Sequence, residues 1–259
     1  MARIEVLNVW DRHWQRKPAF VPVDSNHDSI TILTRTVLER LPNSKITFAD
    51  IGSGPGSRTI PIIGSQESLQ VILVDQSVDA LHLAHSYAQE QDVQANYIQA
   101  DGFGLPFQDN SIECVFANSL NEHFLDPQRQ ELVREMVRVT KQEGLVAIIV
   151  PNKLNPFHTA DKRFRELRGT WTHGPQYDFT PRELEERMQL AGLREVELYG
   201  VGAFTSWIRL LPRDKQNPFY KSPTPLKLLN EALWELDADT CSFSNRVFGR
   251  EILGVGKKP

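Results

Sequence analysis

The apolar run Ile46–Ile51 opens directly into Gly52-Ser53-Gly54-Pro55-Gly56. Three alternating glycines after such a run constrain the chain more than any other feature. Glycine has no Cβ, so the backbone can turn through conformations closed to other residues and a ligand can approach it closely. A helix start beyond the turn adds free N–H donors and positive potential. A Gly-rich turn alone is a weak signal. Its position between a buried strand and a helix gives it weight.

The segments that follow keep to a strand–helix rhythm. Leu69–Val74, Ile112–Ala117 and Leu145–Val150 are short apolar runs without polar alternation, and Asn96–Gln99 is a weaker strand. Such runs suit parallel strands covered on both faces. Helical stripes lie between them: Leu81, Ala84 and Ala88 in one, Leu132, Met136 and Val139 in another. Asp126-Pro127 should open the second, with Asp as cap and Pro at the first helical position. Pro61 should leave the helix after the glycines short or kinked, ending by Gly64.

Thr180-Pro181-Arg182-Glu183 has the pattern of a capping box, and its helix should end at Gly192. Leu193–Tyr199 is expected as a sixth strand and Val247–Gly256 as the last. The whole describes a single α/β domain, 1–259. It is a Rossmann-like, seven-stranded, mostly parallel sheet with helices on both faces. Residues 1–45 form an N-terminal helical cap, where Ile30, Leu33, Val37, Leu38 and Leu41 recur at helical spacing before Pro42-Asn43. Residues 46–200 form the core, 201–246 an aromatic-rich substrate-side insertion, and 247–259 the last strand. Within the insertion Thr224-Pro225 should start a helix with Leu226, Leu229, Leu233 and Leu236 on one face, chiefly for packing.

Composition narrows the partners. A net charge of −4 gives no general attraction to nucleic acid or anionic membranes. No apolar run approaches the ~20 residues of a bilayer span, and charges interrupt the N-terminus where a signal peptide would need an apolar core. Cys114 and Cys241 fit neither a zinc pattern nor a disulfide framework, so a reducing, cytoplasmic setting is expected.

Asp75 ends the second apolar run, about 20 residues beyond the glycines. That is the spacing of an acid that accepts hydrogen bonds from ribose hydroxyls. Together these stretches resemble the class I S-adenosylmethionine (SAM)-dependent methyltransferases, especially the type 11 group with its ubiquinone and menaquinone biosynthesis members. The resemblance is carried by FADIGSGPG (48–56), LVDQS (73–77), QADGFGLPFQDNSIECVFANSLNEHF (99–124), REMVRVTKQEGLVAIIVPN (134–152) and FTPRELEERMQLAGL (179–193). Pro61 and Gly102-Phe103-Gly104 depart from the family pattern. The resemblance implies SAM as cofactor. Gly52, Gly54 and Gly56 would shape its methionyl and ribose end, braced by Asp50. Asp75 would take the ribose hydroxyls and Gln76 would border the adenine. Asp101, with Gly102, would accept from the adenine amino group, and Asn118 would contact the methionine moiety.

Methyl transfer needs placement above all, and holding two reactants together can supply about 7–11 kcal/mol. An oxygen or nitrogen acceptor often needs a base, and His123 is the first candidate, with His158 and His173 behind it. His82 and His85 lie three apart on a helix, but no further ligand accompanies them, so no metal is expected. Lys162, Arg163, Arg165 and Arg168 read first as a solvated helix face, and alternatively as a clamp for an acidic acceptor. The acceptor is expected to be a small molecule: a quinone precursor, a lipid-like compound or another specialised metabolite. An NAD(P)-dependent oxidoreductase shares the sheet, the turn and the acid, but its fingerprint needs glycine where Ser57 stands. A non-catalytic SAM-binding protein is the third reading. RNA is disfavoured as substrate by the absence of a broad basic excess.

Overall fold

The computed structural model describes residues 3–15, 28–42, 44–63, 68–207 and 232–259. Seven strands form one sheet in the order β3-β2-β1-β4-β5-β7-β6. They are β1 (Ile46–Ile51), β2 (Leu69–Asp75), β3 (Asn96–Gln99), β4 (Ile112–Asn118), β5 (Thr140–Pro151), β6 (Arg194–Val201) and β7 (Glu251–Lys257). The first five pair in parallel, and β7 runs antiparallel to both β5 and β6. The all-parallel order 3-2-1-4-5-6 of dinucleotide-binding oxidoreductases is therefore not the order here.

Side-chain alternation splits the core between the two faces of the sheet. Ala49, Val115, Val146 and Ile148 pack on Met136 of α5 (Gln128–Val139) and on Leu184 and Met188 of α7 (Pro181–Leu190). Phe48, Phe116, Ala147 and Ile149 meet Leu33 and Val37 of α2 (Ser29–Leu38). Val71 and Leu73 pack under α3 (Ile60–Ile63) and α4 (Val78–Glu90). Burial of both faces explains the unbroken apolar runs. Cys114 lies in this interior as a free thiol.

Local signals account for most helix ends. Asp28 caps α2 through its contact with Thr31 N (3.0 Å), and Ser77 caps α4. Thr180 and Glu183 form the reciprocal capping box of α7, and Gly192 beyond it has φ +96°. Pro61 sits inside a helix of only four residues, as its geometry demands.

Two expected boundaries are corrected. Helix α5 begins at Gln128 with Pro127 in the cap position, so Asp126 is not its cap. The Asp126 carboxylate instead pairs with Arg187 of α7, a charged partner that outweighs a backbone N–H. The last strand begins at Glu251 rather than Val247, because Phe243–Phe248 forms a helix capped by Ser242. Asn245 anchors this helix from within. Its Nδ2 donates to the carbonyls of Asp237 (3.2 Å) and Asp239 (3.0 Å). The start at Thr224-Pro225, with Leu226 and Leu229, lies outside the described residues. Leu233 is half-buried and Leu236 exposed on a helix over residues 232–237.

The same helix sets a steric condition on β6. A Cβ on Gly200 would stand 1.8 Å from the backbone oxygen of Asn245. Gly200→Ala should therefore destabilise the fold by about 3 kcal/mol, as overpacking against rigid backbone does. Urea denaturation checks this; an unchanged midpoint would mean the helix moves aside freely.

Candidate active site

The glycine turn lies where strand order reverses, between β2 on one side of β1 and β4 on the other. Gly52 N and Ser53 N donate to the Val74 carbonyl at 2.8 and 3.1 Å, which folds the turn back over β2. Gly52, Gly54 and Gly56 all have positive φ, between +53° and +68°. A Cβ on Gly52 would meet Leu120 at 2.8 Å, and one on Gly54 would meet the Trp14 ring at 3.0 Å. Leu120 and Trp14 thus pack directly on the bare sides of these glycines, where no Cβ would fit.

A cavity of about 310 Å³ opens beside the turn at the C-terminal ends of β1, β2, β3 and β4. Asp50, Gly52 and Gly54 line it, as do Asp75, Gln76, Asp101, Gly102 and Asn118. The structure therefore brings eight of the nine expected cofactor residues to one wall. Gly56 is the correction: it does not line the cavity. Its missing Cβ would lie 2.7 Å from Ile60 Cδ1 and 3.1 Å from Leu73 Cδ1, so its role is tight packing of the turn on the core.

Two carboxylates organise the floor. Asp75 Oδ2 accepts from Gly54 N (2.7 Å) and Oδ1 accepts from Ser77 N (2.9 Å). A carboxylate has about four acceptor sites, so each oxygen keeps capacity for a further donor. Burial raises the Asp75 pKa, the two backbone N–H groups lower it, and Asp11 raises it again. Asp50 is buried, and its Oδ2 accepts from Thr59 Oγ1 at 2.6 Å. Its Oδ1 has no partner. Burial pushes the Asp50 carboxyl up to about 7, against the Thr59 hydrogen bond and with a further push from Asp75. An orphaned buried oxygen on a cavity wall calls for a donor from whatever occupies the cavity.

Asp101 Oδ1 accepts from Phe103 N (3.1 Å), which turns Gly102-Phe103-Gly104 and brings the Phe103 ring to the cavity. Where the sequence departs from the family pattern, the structure thus has a tight turn. His123 also lines the cavity. Its Nδ1 lies 2.8 Å from the Pro175 carbonyl. Its pKa is lowered, chiefly by burial; the Pro175 carbonyl opposes this, Lys162 adds to it, and the Ser119 backbone opposes it.

The weaker candidates separate. His173 lines the cavity, whereas His158 is buried 3.5 Å from Asp178 on α6 (Pro156–Leu167). Lys162 bonds Asp178 Oδ2 (3.0 Å) and Arg165 bonds Asp161 (2.8 Å), while Arg168 stacks on Phe164. Lys162 and Arg165 are thus engaged within the protein. Among the described residues no cluster of His, Cys, Asp and Glu could hold a metal ion. None of their helices is long and apolar enough to cross a membrane.

The sequence reading missed the rings of α1 (Arg3–Gln15). Trp10, His13 and Trp14 all face the cavity. Their i, i+3 and i+4 spacing could have placed them on one helix face. The charges among them masked that stripe.

Comparison with known proteins agrees with this geometry. Residues 49–148 match the model of a methyltransferase domain family. A methyltransferase of uncharacterised specificity from Mycobacterium sp. (strain KMS) is 30% identical over 134 residues, 52% of this chain and 50% of that protein. The chloroplastic 2-methyl-6-phytyl-1,4-hydroquinone methyltransferase of Spinacia oleracea is 31% identical over 170 residues, 65% of this chain and 45% of that protein. The chain thus aligns with about half the length of these relatives. Phosphoethanolamine N-methyltransferase 2 of Haemonchus contortus, solved with S-adenosyl-L-methionine, shares the fold. Its TM-score is 0.56 at 20% identity, over 98% of this chain and 57% of that one. The fold is that of the class I methyltransferases. Over residues 49–148 the chain is similar to a methyltransferase domain, and the solved neighbour with this fold holds SAM.

A buried carboxyl outside the cavity gives a pH test. Burial pushes Glu122 up to about 8, and Asp178 adds to the rise. The unfolded chain loses this proton near pH 4.5, so stability is lost as pH climbs from there to about 8. Glu122→Gln removes the ionisation. The variant should gain stability over wild type as pH rises through that window, measured by urea midpoints. A constant difference from pH 4 to 9 would contradict the assignment.

Proposed function

We propose that this protein transfers the SAM methyl group to a small-molecule acceptor: a quinone precursor, a lipid-like compound or another specialised metabolite. One observation carries the reading. Eight residues from four strand ends and their following turns converge on a single cavity, with the buried Asp50 Oδ1 left open to a donor. The two unpaired cysteines suit a cytoplasmic setting.

The residues present fit the cofactor. Asp75 has acceptor capacity for both ribose hydroxyls, and the backbone of the glycine turn admits the adenosyl group closely. Gln76, Asp101 and Gly102 border the adenine end. Asn118 and Asp50 face the methionyl end, where the free Asp50 Oδ1 suits an ammonium group. Bound SAM supplies a methyl group on a positive sulfonium, open to in-line attack. The protein's own part is to hold the reactants, exclude water and manage a proton. Leu120 and Trp14 pack against the glycine turn.

His123 is the proposed base. Both the Pro175 and Ser119 carbonyls can accept from the ring; with its proton on Nδ1 toward Pro175, the neutral ring would carry its lone pair on Nε2. Its lowered pKa keeps that lone pair available at neutral pH.

Asp75→Ala should weaken SAM and S-adenosylhomocysteine binding about tenfold to a hundredfold, the loss expected for charge-assisted hydrogen bonds. Calorimetry checks this; unchanged affinity would remove the ribose assignment, and tight NADH binding would remove the cofactor. His123→Ala should slow turnover about a hundredfold, the lower range for a general base, and leave S-adenosylhomocysteine affinity nearly unchanged. Wild-type turnover of labelled SAM in that variant would reject the base.

A further inference from the structure

Between α6 and α7 a stretch of irregular backbone passes beside His123. Three consecutive carbonyls of this stretch face side chains from three separate parts of the chain. Pro175 O lies 2.8 Å from His123 Nδ1, Gln176 O accepts from Lys162 Nζ of α6, and Tyr177 O accepts from Arg129 Nη2 of α5. Tyr177 N donates in turn to the Glu122 carbonyl at 2.7 Å. Proline lacks an N–H, so the place of the Pro175 carbonyl depends on what holds its neighbours.

Lys162 reaches this stretch with a side chain only 12% exposed. Its ammonium also donates to Asp178 Oδ2 at 3.0 Å, and Gln176 Nε2 donates to Asp178 Oδ1 at 2.8 Å. A buried cation needs such acceptors to offset its lost hydration, which keeps Lys162 in place. One ammonium thus holds both Gln176 and Asp178, and with them the backbone that presents the Pro175 carbonyl. That carbonyl competes with the Ser119 carbonyl for the ring proton of His123. Whichever nitrogen takes the proton leaves the lone pair on the other. Charge acts at the same place. Burial lowers the His123 pKa, Lys162 lowers it further and Asp178 raises it. From α1, Trp10 packs edge-on to the ring at 5.0 Å, while His13 and His173 line the same cavity. Glu122, beside His123 in the chain, interacts with Asp178, Arg129 and Glu251.

We propose that Lys162 is a positioning residue for His123: by holding Gln176 and Asp178 it sets the Pro175 carbonyl against Nδ1 and keeps the ring proton there. The inference rests on the reading of His123 as base and names the side chain that prepares it. The full chain, labelled with ¹⁵N-histidine, is studied by long-range ¹H–¹⁵N spectra across pH, with the His123 ring assigned through His123→Gln. In wild type the Nδ1–H tautomer should exceed the Nε2–H tautomer about tenfold, the scale of one hydrogen bond. Lys162→Met should bring the two tautomers within about threefold of each other, since the Pro175 carbonyl is then less firmly placed. The same variant should raise the pH at which the ring titrates, because a cation that opposed protonation is gone. Lys162→Arg should restore both readings, and Asp178→Asn should move the titration the other way, to lower pH. A wild-type ring protonated on Nε2 would overturn the proposal, as would an unchanged tautomer ratio and titration in Lys162→Met. If Lys162→Met does not fold, Lys162→Gln keeps a donor without the charge and should still raise the titration; no rise there overturns the proposal equally. Failure of the base reading would show elsewhere, as wild-type turnover in His123→Ala, whatever the spectra report.

Discussion

The hydrogen bond from Gly54 N–H to Asp75 Oδ2, at 2.7 Å, joins the two loops on which the cavity depends. It ties the turn leaving β1 to the end of β2. The bonds from Gly52 and Ser53 to the Val74 carbonyl reinforce that tie. Without them the glycine backbone would be free to sample many conformations, as glycine does. With them it is a rigid edge, and the same carboxylate that holds it keeps acceptor capacity toward the cavity. Structure and binding capacity thus rest on one side chain.

Burial of acids shapes the electrostatics around this edge. Asp50 and Asp75 both have raised pKa values, because desolvation outweighs the hydrogen bonds that favour their charged forms. A cationic ligand relieves that cost. The floor therefore offers buried carboxyl oxygens with acceptor capacity. The rings of Trp10, His13, His123 and Phe124 line the same cavity.

Much of this was legible in the chain. The strands could be read because burial on both faces leaves continuous apolar runs. Asp75 and the glycines could be read because turn geometry and strand spacing are local matters. Boundaries failed where a distant partner competed. Asp126 left its expected cap position for Arg187, sixty-one residues away. The helix Phe243–Phe248 replaced the start of the last strand, because Asn245 found carbonyl partners in the preceding turn. The third glycine also fell to tertiary packing, since Ile60 and Leu73 occupy the space on its bare side.

By itself the sequence determined the alternating sheet, the bare-backbone turn and the acid placed to face it, because these follow from periodicity and local conformational preference. Only the tertiary structure decided that the N-terminal helix lays Trp10 and Trp14 across the cavity. It also decided that Lys162 and Arg165 turn to internal partners, and that β7 enters the sheet antiparallel between β5 and β6. Apart from the Arg165–Asp161 pair, one helical turn apart, these join residues distant in the chain. Long-range packing selects such contacts, and no local pattern encodes them.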